Sequence, residues 1–114
     1  MILTRYLTLR KGASMAVLCL LAGGHAAMAA PPDGAQVVIK DFMFSPNAVT
    51  IKAGSKVTWS NKDDEPHTVV SDAGLFRSGA MDTDESFSFT FDKPGTYHFT
   101  CSIHPRMVGT ITVE

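Results

Sequence analysis

From residue 36 onward, apolar and polar side chains alternate in short runs between turn residues, never at the spacing of an amphipathic helix. Residues 36–40 (QVVIK) are rich in β-branched side chains and predict a first strand. Residues 41–47 break the pattern with a turn and three large apolar side chains, Phe42, Met43 and Phe44, expected to pack at a corner of the core. Alternation resumes over 48–52, turns at Ala53-Gly54-Ser55, and continues over 56–60, where Val57 and Trp59 share one face. After a charged turn at 61–65, residues 67–71 predict another short strand, and residues 72–84 read as a long loop. The cleanest alternation is 85–91, with Phe87, Phe89 and Phe91 inward; a turn at 92–95 then leads into strands over 96–101 and 108–113. Seven or eight short strands without a helix predict an all-β fold, an antiparallel β-sandwich.

The first 29 residues stand apart from this pattern. Arg5, Arg10 and Lys11 precede an unbroken apolar run at 15–22, and Ala27-Met28-Ala29 fits a small-x-small cleavage rule. The run is shorter than the roughly 20 residues that span a bilayer, so residues 1–29 are expected to be a secretory signal peptide and 30–114 the mature domain. Cys19 lies inside the apolar run after Leu18, which argues against a lipid anchor. Without the leader, seven Lys+Arg face 11 Asp+Glu, a net charge of about −4. That balance opposes nucleic-acid binding, which needs a basic face. The mature part keeps one cysteine, Cys101, and an unpaired thiol in an oxidising compartment is a liability unless a metal holds it.

Cys101 is followed by His104 and Met107 on one short loop between two strands. A thiolate, an imidazole and a thioether form a soft donor set that suits copper, whereas structural zinc sites seldom use a thioether. A trigonal copper site with a weak axial methionine needs one more histidine. Strand parity puts Tyr97, Phe99 and Cys101 on the inward face and His98 on the outward one. His67, after Pro66 and more than thirty residues upstream, is the candidate that a fold would bring beside the loop. Any one of these residues alone is weak evidence, since a lone buried Cys or Met is usually core filler; the joint pattern is strong.

The mature domain resembles the cupredoxins, the blue-copper family of amicyanin, plastocyanin and pseudoazurin. The resemblance is carried by residues 42–46, Val49-Thr50-Ile51, Gly54, Val57-Thr58-Trp59, Pro66-His67, 86–91, Pro94-Gly95-Thr96-Tyr97 and 101–109. The Cys-x-x-His-x-x-Met loop with His104-Pro105 at its centre is most similar to that of amicyanin. The resemblance implies a Greek-key β-sandwich and one type 1 copper, with His67, Cys101 and His104 as equatorial ligands and Met107 as the axial one. It further implies a soluble, monomeric periplasmic electron carrier without enzymatic activity of its own. Its partners would be redox proteins, an amine dehydrogenase and a c-type cytochrome among them. Copper delivery or buffering would use the same ligands, but the chain lacks the exposed Met/His runs of a chaperone. Multicopper oxidases need extra His-x-His pairs and binuclear electron-transfer centres need two thiolates, and the chain has neither. It departs from its relatives at Thr68, where many have Asn, and at Ser102-Ile103 and Arg106, where amicyanins tend to carry Thr-Pro and an aromatic.

Overall fold

The computed structural model describes residues 34–114, so the predicted leader at 1–29 lies outside the described residues. Eight strands follow one another: β1 (Ala35–Lys40), β2 (Met43–Ser45), β3 (Ala48–Ile51), β4 (Ser55–Asn61), β5 (Val70–Ser71), β6 (Ser86–Phe91), β7 (Gly95–Thr100) and β8 (Val108–Val113). They form two four-stranded sheets, ordered β2-β1-β4-β6 and β3-β8-β7-β5. The expected sandwich is present, and each sheet contains one parallel pair, β1 with β4 and β3 with β8. The parallel pairs arise because the chain leaves the first sheet after β2, lays down β3 in the second, and returns as β4. Alternation shows which face a residue takes but not which strand lies beside it, so this detail is not visible in the pattern.

The core is the inward set of alternate positions. Val37 and Ile39 of β1, Val57 and Trp59 of β4, and Phe91 of β6 meet Phe99 of β7 with Ile111 and Val113 of β8, all buried. The Trp59 ring lies 5.3 Å from that of Phe99, edge-on, and 5.5 Å from that of Phe76. The long loop before β6 therefore adds to the core: Phe76 packs over Phe89 at 4.9 Å and Phe91 at 5.6 Å, and Met81 is buried as well. With β6 at a sheet edge, Phe87 and Phe89 are only half-buried, and Phe91 alone of the three is fully inside.

Two expectations change. Of the apolar trio before β3, only Phe44 packs inward, while Phe42 and Met43 are 46% and 60% exposed. Residues 43–45 form an edge strand against β1, so parity buries the middle one alone. The expected strand over 67–71 is shorter, because His67 pairs with Met81 in an isolated bridge and regular pairing starts only at Val70.

Gly109 marks a close approach between β7 and β8. It pairs with Phe99, and a Cβ there would run into the Phe99 ring. Gly109→Ala is expected to lower stability by about 1–3 kcal/mol, the usual cost of overpacking a filled core; chemical denaturation measures it, and an unchanged midpoint would show that the ring can yield.

Candidate metal centre

Three connections meet at one end of the sandwich: the β1–β2 turn, the β4–β5 segment and the β7–β8 loop. The last carries Cys101, His104 and Met107, and it is built from turns whose ends are those same residues. The His104 N–H donates to the Cys101 carbonyl (3.2 Å) and the Met107 N–H to the His104 carbonyl (2.9 Å). The Cys101 N–H closes the loop onto the Met107 carbonyl (3.0 Å). Their three-residue spacing is thus a backbone device: each hydrogen-bonded turn starts at the residue where the previous one ends. Cys101 and Met107 are buried, and His104 is half-buried at the surface.

His67 arrives on the segment between β4 and β5, held by reciprocal backbone hydrogen bonds with Met81 (3.1 and 2.8 Å). It is fully buried. Its Nε2 lies 2.8 Å from Asp63 Oδ2. A carboxylate only accepts, so Nε2 donates its proton to Asp63, which leaves Nδ1 as the ring atom that faces the sulfur. That Nδ1 lies 3.8 Å from Cys101 Sγ, and His104 Nδ1 lies 3.7 Å from the same sulfur. One donor atom from each of His67, Cys101 and His104 falls within 4.8 Å of the others.

These distances can be tested against a metal. Bonds of about 2.0–2.1 Å to imidazole and about 2.3 Å to thiolate, opened to a trigonal angle, put sulfur and nitrogen roughly 3.8 Å apart. The two separations match that figure, so the donors are spaced for a transition-metal ion. The sequence reading of inward Cys101 and outward His98 also agrees with the structure: His98 is exposed and bonds Thr110 Oγ1 at 3.1 Å.

The sulfur is prepared for ionisation. Burial opposes the thiolate, but the Thr68 N–H (3.4 Å), the two imidazoles and the Ile103 N–H outweigh it and bring the Cys101 thiol down to about 6. Thr68 also ties the two ligand segments together. Its Oγ1 accepts the Ser102 N–H at 2.7 Å and lies 2.8 Å from Ser102 Oγ. The hydroxyl pair Thr68–Ser102 thus supplies a link between the two ligand-bearing segments. Phe44 and Phe99, edge-on at 4.8 Å, form part of the buried wall beneath the loop.

Asp63 escaped the sequence reading, which took residues 61–65 for a charged turn. The signal was its position four residues before His67, but a charge in a polar turn is ordinarily solvated. Here it is buried. The Asp63 carboxylate accepts the N–H groups of Phe42 (2.9 Å) and Asp41 (3.2 Å) as well as that of His67. The Phe42 N–H, against the opposing effect of burial and with help from His67 and the Asp41 N–H, holds its carboxyl below the usual carboxylate range. A depressed folded value means that the unfolded chain takes up the proton first as pH falls. The stabilisation is complete above the ordinary value near about 3.9 and is lost as pH drops through the lower folded value. Thermal melts of metal-free protein are expected to lose stability in that window, and Asp63→Asn to flatten the loss; parallel curves would remove Asp63 from the account.

Fold and donor set together define a β-sandwich of the blue-copper kind, and a family model described as a cupredoxin-like domain matches residues 12–113. The chain belongs to the cupredoxin-like family. It is 36% identical over 110 residues to amicyanin-alpha of Methylorubrum extorquens, covering 87% of this chain and 88% of that one. It is 41% identical over 85 residues to plastocyanin of Scenedesmus fuscus, covering 63% and 87%. Among solved structures, a Cu(I) form of an amicyanin variant superposes with a TM-score of 0.68 at 30% identity, covering 71% of this chain and 82% of that one.

Proposed function

We propose that this chain is a soluble periplasmic electron-transfer protein in which His67, Cys101 and His104, together with Met107, would hold one type 1 copper. The observation that carries the reading is the buried sulfur with two imidazole nitrogens at 3.7 and 3.8 Å, a spacing the protein maintains through its own hydrogen bonds. Bound there, copper supplies one-electron exchange between Cu(II) and Cu(I). The residues do the rest. The turns at Cys101, His104 and Met107, the Thr68–Ser102 link and the Asp63–His67 hydrogen bond hold the donors in place, so little rearranges when the charge changes. The buried Phe44 and Phe99 exclude water from beneath the loop.

His104, the half-buried donor, offers the route for electrons to the surface. Exposed Pro66, Ile103 and Pro105 are available around it for docking; Met81, expected in the same patch, is buried and takes no part. Arg106 is exposed between His104 and Met107 and adds a positive charge to an otherwise acidic mature domain. Redox partners such as an amine dehydrogenase and a c-type cytochrome fit this reading, as does export by the leader at 1–29. Among the described residues no helix is long and apolar enough to cross a membrane.

The test is Cu(II) titration of the mature protein with visible absorption and voltammetry. An intense thiolate-to-copper band at one equivalent and a reversible one-electron wave are expected. Absence of the band would overturn the ligand assignment, and a bound copper without a reversible wave would shift the function to copper delivery.

A further inference from the structure

The β1–β2 turn has an unusual backbone. Asp41 and Phe42 both adopt left-handed conformations, with φ of 52° and 59°. A bulky side chain in that region is uncommon, and such residues persist only where the surroundings hold them. What holds them here is Asp63, whose carboxylate receives both turn N–H groups while Oδ2 also binds His67 Nε2. Asp63 is itself fixed: its N–H donates to Asn61 Oδ1 (2.9 Å) and its carbonyl accepts the Thr83 hydroxyl (2.6 Å). Asn61 in turn donates to the Glu65 and Met81 carbonyls (2.8 and 2.9 Å).

The consequence is the placement of the Phe42 ring. Nearly half of Phe42 is exposed, yet its ring meets both histidines edge-on, His67 at 5.4 Å and 82° and His104 at 4.9 Å and 85°. An apolar ring left in water by a strained turn is not core packing. It also lines, with Ile103, Pro105 and Arg106, the surface hollow that opens onto His104.

We propose that Asp63 and Phe42 form a clamp on the two histidines: the carboxylate locks the turn, and the turn holds the Phe42 ring against His104 so that this surface imidazole cannot swing away from the sulfur. Phe42 is a positioning residue, and the clamp's output is slow metal loss. The inference rests on the copper reading above, and it accounts for how a half-buried donor stays in register. It also separates a carrier that keeps its metal from a donor that hands it on.

The experiment measures Cu(I) release to an excess of a competing chelator in wild type, Phe42→Leu, Phe42→Asn and Asp63→Ala. Asn tolerates a left-handed backbone far better than Phe, so Phe42→Asn removes the ring while easing the strain. It is expected to release Cu(I) about tenfold faster, the factor that about 1.4 kcal/mol of lost edge-on contact gives. The melting temperature of its metal-free form should hold or rise. Asp63→Ala should release faster too, and Phe42→Leu should fall between wild type and Phe42→Asn. Release at the wild-type rate in both Phe42 variants overturns the clamp, as does release that merely tracks falling melting temperature across the series. Nitrogen-15 relaxation of the His104 ring in metal-free protein gives an independent reading. Greater ring motion in Phe42→Asn supports the clamp, and identical motion overturns it. Should wild type bind no copper, the proposed function falls and the relaxation comparison alone decides the clamp.

Discussion

Cys101→Ser is expected to abolish the blue absorption of the copper-loaded protein and to leave the metal-free β-sandwich folded. The colour needs a thiolate, and Cys101 is the one free cysteine among the described residues. Serine keeps nearly the same volume at a fully buried position, and its hydroxyl can still accept the Thr68 N–H that now lies 3.4 Å from sulfur. The fold therefore loses only about 1 kcal/mol, the scale of one altered hydrogen bond. The metal loses far more. A hydroxyl stays protonated at neutral pH, whereas the thiol here is brought down to about 6. Affinity should fall by more than the roughly 10–100-fold that changes to outer-shell partners cost. Visible absorption with copper titration, set beside circular dichroism of the metal-free form, checks both halves. A Ser variant that stays blue would refute the ligand set.

His67→Asn and His98→Asn should part company just as sharply. His67 is fully buried, with Nδ1 toward Cys101 and Nε2 on Asp63. Its replacement removes a donor from the site and leaves the Asp63 carboxylate short of a partner, at a cost of about 1–3 kcal/mol to the fold. The charge-transfer band should vanish or distort beyond recognition. His98 is exposed on the outer face of β7, its ring hydrogen-bonded to Thr110 Oγ1. Its replacement should change stability by no more than about 0.5 kcal/mol and leave the spectrum alone. Thermal melts and absorption spectra of the two variants make the comparison, and equal damage would mean that the register assigned to β7 is wrong.

Much of this architecture was legible in single strands. Period-two alternation is a local property, and it placed Val57, Trp59, Phe91, Phe99 and Cys101 inside and His98 outside before any pairing was known. The loop was legible for a similar reason: turns of three residues put Cys101, His104 and Met107 in sequence at the interval their own hydrogen bonds require. Even His67 could be singled out, because parity removed its competitor. Other features depend on contacts between segments far apart in the chain. The parallel neighbours β1–β4 and β3–β8 follow from how the chain crosses between sheets, which no alternation records. Phe76 and Met81 enter the core from a loop without period. Phe42 looks like core filler in the sequence and is instead a half-exposed ring against two histidines, because Asp63, twenty-one residues away, receives its N–H. Asp63 looks like a solvated turn charge and is buried, because three donors from two segments converge on it. Local sequence determines which way a side chain points along its own strand and how a short loop turns; tertiary structure decides which distant groups a side chain meets, since those contacts join segments far apart in the chain.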